Sequence, residues 1–119
     1  MSSGWKRLER LVAGWWGTCR NPLSGRNNVD DSGRRRLGDI VFSRGVIEVK
    51  RRQSLSFKRA FETRRLAEEC GKPWAHYEFR TGQADMVTIT LNFDEARYVS
   101  EKLRERWEDS HTSMPGPAV

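Results

Sequence analysis

Between residues 39 and 91 the hydrophobic period switches from two to about 3.6 and back to two, and that order confines the chain to helices around one sheet. Asp39-Ile40-Val41-Phe42 and Val46-Ile47-Glu48-Val49-Lys50 read as two strands, and Arg44-Gly45 as the turn of a hairpin between them. Residues 56–70 read as a helix, closed by Gly71 with Pro73 just beyond. Residues 75–79 and 86–91 are two further strands, with Thr81-Gly82-Gln83 between them and Asp85 as a turn residue. At the front, Trp5, Leu8, Leu11, Val12, Trp15 and Trp16 recur at helical spacing up to Gly17. At the back, Ala96, Val99, Leu103 and Trp107 do the same, with Asp94 as the expected cap. Residues 18–36 are turn-rich and read as a long loop, a feature that in a small domain often carries function. The expected organisation is one domain over residues 1–109 and a flexible tail over 110–119.

Charge is spread unevenly. Residues 1–60 hold 14 Lys or Arg against 5 Asp or Glu, while residues 61–119 hold 8 against 11. A basic half of this density suits a polyanion, most simply nucleic acid. The cations come in runs: Arg34, Arg35 and Arg36, then Lys50, Arg51 and Arg52, then Lys58 and Arg59. Such runs suit loops and element ends that meet phosphates. No apolar run is long enough for a transmembrane helix, and residues 1–16 lack the pattern of a secretory signal. Cys19 and Cys70 form neither a disulfide framework nor a zinc pattern, so the expectation is a reduced cytoplasmic protein with both thiols buried.

Candidate chemistry gathers on the hairpin. Glu48 and Lys50 stand two apart on a strand and leave the same face, while Ile47 and Val49 point to the other. Asp39 opens the preceding strand. Two carboxylates held close repel one another, and a hard divalent cation such as Mg²⁺ or Mn²⁺ removes the conflict. Lys50 then places a positive charge near an attacking water or a scissile phosphate. In the first helix Glu9 lies about 40° from Trp5, at the border of the apolar stripe, from which a carboxylate can reach either water or a site on the sheet. A salt-bridged hairpin with Glu48 and Lys50 on a wet face is the competing structural reading. His76 reads as a surface or satisfied core histidine, since no second His is near.

These residues resemble the PD-(D/E)XK nuclease superfamily: a glutamate in the first helix (Glu9), then Gly38-Asp39, then Glu48-Val49-Lys50. Within it, Arg20-Asn21-Pro22-Leu23-Ser24-Gly25-Arg26 followed by Gly38-Asp39-Ile40 resembles the archaeal and phage Holliday junction resolvases. The likeness covers roughly residues 5–70. It implies an α/β, restriction-endonuclease-like single domain with a central mixed β-sheet flanked by helices. It further implies a metal site from Asp39, Glu48 and the backbone carbonyl of Val49, assisted by Glu9, with Lys50 as the catalytic lysine and Ser24 near the scissile phosphate. Gln53 matches a helper glutamine found in some members. Leu37 stands where the motif has proline, and Asp30 and Asp31 in the long loop compete with Asp39 for the role of first carboxylate.

The expected activity is therefore Mg²⁺-dependent hydrolysis of branched DNA by a homodimer. Its expected DNA contacts are Arg20, Arg26, Arg34, Arg35, Arg36, Arg51, Arg52, Gln53, Lys58 and Arg59. The alternatives are another nicking nuclease of the superfamily and a non-catalytic basic DNA-binding module. An RNA-binding role lacks the aromatic strand motif that stacks bases.

Overall fold

The computed structural model describes residues 4–21 and 38–113. Helix α1, Gly4–Trp15, buries Leu8, Val12 and Ala13 and turns Lys6, Arg7 and Arg10 to solvent, as its spacing predicts. Gly17 ends it at φ 70°, with the Thr18 N–H on the Ala13 carbonyl at 3.0 Å.

Strand β1, Val46–Arg52, runs parallel to β2, Trp74–Arg80. A parallel pair needs a crossover, supplied here by a 3₁₀ turn, Phe57–Arg59, and helix α2, Ala60–Glu69. Gly71, at φ 64°, ends α2 in the manner of Gly17. Strand β3, Gln83–Leu91, returns antiparallel to β2, with Gly82 at φ 84° in the turn, so the sheet is mixed and ordered β1-β2-β3. Asp85 lies within β3, not in the turn.

The domain is α/β, a central mixed sheet flanked by helices. On one face Ile47, Val49, Ala75, Tyr77 and Phe79 pack with Leu8, Val12 and Ala13 of α1 and with Ile40. On the other, Val46 and Trp74 pack with Ala60 and Ala67 of α2. Covered on both sides, β2 buries every residue from 74 to 79, His76 and Glu78 included.

The expected hairpin does not form. Residues 39–42 are not a strand; Ile40 makes a single bridge with Arg20, and β1 takes its ladder partner from β2 instead. Both cysteines are exposed, against the expectation that they are buried. Asp94 does not cap the last helix. Helix α3, Phe93–Ser113, begins where the Asn92 carbonyl accepts the Ala96 N–H, and Asp94 sits in its first turn. The helix also continues through residues 110–113, which the sequence places in the tail.

Candidate active site

Asp39 reaches β1 through a glycine. Gly38 adopts φ 86°, and a Cβ there would sit 2.8 Å from the Ile47 carbonyl oxygen, so only glycine brings the chain this close to the strand edge. The Asp39 N–H then donates to the Ile47 carbonyl at 2.8 Å, and the Val49 N–H donates to Asp39 Oδ2 at 2.8 Å. A carboxylate thus takes the place of a ladder carbonyl, which is the physical reason the hairpin is absent. Asn21, fully buried, holds this segment from behind: its N–H donates to the Asp39 carbonyl at 2.7 Å and its Nδ2 to the Gly38 carbonyl at 3.3 Å. Sequence reasoning assigned Asn21 no role beyond membership of a motif.

Glu48 lies one residue from that contact, half-buried, with its carboxyl hydrogen-bonded to that of Asp39. Burial is the main force pushing the Glu48 pKa well above the usual carboxylate value, and the bond to Asp39 and its negative charge push the same way, against the opposing pull of Lys50. The contact between the two carboxyls thus favours the protonated form of Glu48, and a divalent cation could take the place of that proton.

Glu9 is buried at 2% exposure, so it is not a wet rim residue. Its pKa is raised to about 7, chiefly by burial, against the hydrogen bond from Arg20; the Asp39 charge raises it further. Arg20 Nε donates to Glu9 Oε1 at 2.9 Å. Arg20, expected to contact DNA, here neutralises a carboxylate behind the site.

Val49 also falls into place. On a strand a residue's N–H and C=O leave on the same side. Since the Val49 N–H points to Asp39, its carbonyl leaves β1 toward Asp39 as well. Among the described residues no three His, Cys, Asp or Glu side chains form a ready-made metal cage. Mg²⁺ does not need one, because it keeps several waters and binds through one or two carboxylates together with substrate phosphates. The donor set of Asp39, Glu48 and the Val49 carbonyl fits that habit.

Lys50 follows two residues after Glu48 on the same face, and its charge is felt at both Glu48 and Glu9. Arg51, Arg52 and Gln53 are exposed at the end of β1, and Lys58 is exposed on the 3₁₀ turn. Arg59 departs from expectation. Its Nε and Nη2 fork onto Glu78 at 2.9 Å each, so it is tied to a buried carboxylate instead of facing DNA. Glu78 also accepts from the Ser56 N–H at 3.0 Å and contacts His76 Nε2 at 2.8 Å, while His76 Nδ1 meets the Thr63 hydroxyl at 2.8 Å. His76 is thus a satisfied core histidine, as expected. Glu78 escaped sequence reasoning; its signal was a second polar residue at period two inside an otherwise apolar strand. Ser24, Arg26, Asp30, Asp31, Arg34, Arg35, Arg36 and Leu37 lie outside the described residues.

Comparison with protein-family models, with curated proteins and with solved structures found no match.

Proposed function

We infer that this chain is a Mg²⁺-dependent DNA endonuclease of the PD-(D/E)XK kind, selective for branched DNA of the four-way-junction type and active as a homodimer. The observation that carries the reading is the hydrogen-bonded Asp39–Glu48 carboxyl pair at the edge of β1, with Lys50 two residues on and Glu9 within electrostatic range. A charged pair is unfavourable in so buried a place unless a cation uses it.

Asp39, Glu48 and the Val49 carbonyl would hold the metal, which when bound polarises a phosphate oxygen and acidifies a water. Gly38 and Asn21 fix the approach of Asp39, so the pair is positioned before substrate arrives. The Lys50 ammonium offsets negative charge building on the phosphate as water adds to phosphorus. The phosphorus–oxygen bond to one sugar then breaks, leaving a phosphomonoester and an alcohol. The Arg20 hydrogen bond opposes the burial that favours protonated Glu9, and in its ionised form Glu9 would offer its second oxygen to accept a proton or a hydrogen bond from the water.

Two symmetric incisions require two such sites, and a 119-residue subunit carries one. Exposed apolar side chains on α3, Val99 at 40% and Trp107 at 62%, supply a surface for a second copy. The test is incubation of end-labelled four-way junction and of linear duplex with the protein, in Mg²⁺ and in chelator. Cleavage of the junction in Mg²⁺ alone is expected. Binding without cleavage would leave a DNA-binding module, and equal cutting of both substrates would leave a nuclease without branch selectivity.

A further inference from the structure

Cations fall into two populations. On α2 and α3 most are answered by carboxylates: Arg64 by Glu68, Arg65 by Glu62 and Glu69, Arg97 by Glu101, Lys102 by Glu105, Arg104 by Glu108. At the ends of β1 and β2 they are not. Arg52 stands directly beside Arg80 in the parallel register, on the face that carries Glu48 and Lys50. Both arginines are exposed, and among the described residues neither they nor Lys58 lies within ion-pair distance of a carboxylate. Arg52 Nη1 donates to the Arg51 carbonyl at 2.9 Å and Arg80 Nε to the Gln53 carbonyl at 3.3 Å, so neutral carbonyls hold the two guanidinium groups and leave their charge unbalanced, which is destabilising for like charges side by side on a sheet.

Two phenylalanines stand at the same corner. Phe57 and Phe61 are 67% and 50% exposed and meet edge to face with ring centroids 5.2 Å apart. Large apolar side chains so exposed bury little of their own domain's core. Their position is nonetheless fixed. The 3₁₀ turn that carries Phe57 is tied to Glu78 by the Ser56 N–H at 3.0 Å and by the Arg59 fork, and Glu78 is the register neighbour of Lys50. The turn that carries Phe57 is therefore fixed to β2 at the residue that pairs with Lys50.

A rigid aromatic platform beside unanswered cations is the chemistry that takes single-stranded nucleic acid, with phosphates on the cations and bases stacked on the rings. We propose that Phe57 and Phe61, with Arg52, Arg80 and Lys58, form a subsite for single-stranded nucleic acid at the end of the sheet beyond Lys50, and that this subsite takes a single-stranded segment of the DNA substrate. The proposal rests on the DNA-directed reading above. It adds a contact that duplex cannot make: a duplex offers phosphates to the cations but keeps its bases stacked away from the rings.

The experiment is equilibrium binding in chelator, so that no DNA is cut. The probes are a labelled single strand of about 10 nucleotides, within the usual site size, carrying one 2-aminopurine, and a blunt duplex. The wild-type chain should bind the single strand and quench the 2-aminopurine. Replacing both Phe57→Ala and Phe61→Ala should weaken single-strand binding by roughly 10- to 100-fold, abolish the quench, and leave duplex affinity and its salt slope unchanged. Phe57→Trp should restore quenching. Arg52→Ala with Arg80→Ala should instead weaken both probes and flatten the salt slope by about 1.4 on the single strand. Equal losses on both probes, or no loss on either, from the double phenylalanine change would overturn the subsite and leave the nuclease reading standing. Loss of self-association instead of single-strand binding would assign the rings to a protein contact. A wild-type chain that binds neither probe would overturn the subsite, and the junction-cleavage test above decides the nuclease reading on its own.

Discussion

Glu9 and Glu48 each keep a proton to higher pH in the fold than in the unfolded chain, where the ordinary value is about 4.5. Their contribution to stability is therefore full below that value and is lost as pH rises, through about 7 for Glu9 and further up for Glu48. A divalent cation that takes the ionised pair reverses the loss. Thermal unfolding in chelator should show a falling midpoint from about pH 5 to about pH 8, and added Mg²⁺ should raise the midpoint more at the higher pH. Glu9→Gln should remove the part of the fall that runs from about 4.5 to about 7. A cation effect of equal size at both pH values would speak against a metal held by these carboxyls. The placement of Glu9, Glu48 and Lys50 was legible in the sequence, because each stands at a spacing that its helix or strand imposes, whereas Asp39 was picked out as the start of a strand that does not form. Asn21 was not. Its work is done by hydrogen bonds to the main chain of residues 38 and 39, which no side-chain pattern reveals.

At the scale of elements the sequence gets the helices and β1 to β3 nearly to their ends, because glycine stops and apolar periods are local signals. It misreads residues 39–42 for a physical reason. Asp39-Ile40-Val41-Phe42 has a strand's alternation, but the Asp39 carboxylate satisfies the Val49 N–H that a ladder carbonyl would have taken. The buried network of Glu78, His76, Thr63 and Arg59 went unread as a network, since its bonds join residues 13 to 19 apart across three elements. Burial alone would raise the Glu78 pKa, yet the bonds from Arg59, His76 and the Ser56 N–H outweigh it and hold the value at about 2. Glu78 therefore stabilises the fold above about 4.5, and that contribution is lost as pH falls toward 2. Glu78→Ala should cost about 2–3 kcal/mol, toward the low end for breaking a buried pair because Arg59 can turn to water. Urea unfolding at about pH 7 and about pH 3 should show the gap from wild type narrowing in acid. A gap independent of pH would mean the network does not hold Glu78 ionised.

At the scale of the molecule, one exposed apolar surface among the described residues lies along α3. The helix has 21 residues, about 31 Å of length, and a groove of about 520 Å³ opens between it and the sheet, lined by Trp16, Tyr77, Ile89, Leu91, Ala96 and Val99. Trp107, farther along the same stripe, is 62% exposed. If this surface seats a second copy, the wild-type chain should sediment as two chains and Trp107→Lys as one, with no loss of helix content. Identical sedimentation of both would move the interface elsewhere. No helix among the described residues is long and apolar enough to cross a membrane. The claim on which the functional account turns is that the Asp39–Glu48 pair holds the metal that hydrolyses DNA. Single-turnover cleavage of a labelled four-way junction in Mg²⁺, with binding followed in parallel, tests it most directly. Asp39→Asn should bind the junction as tightly as wild type or more so, because an anion has left a DNA-facing cleft, and should cut it at least 100-fold more slowly, roughly the loss expected when metal-assisted stabilisation is removed. Cleavage by Asp39→Asn at the wild-type rate would contradict the account.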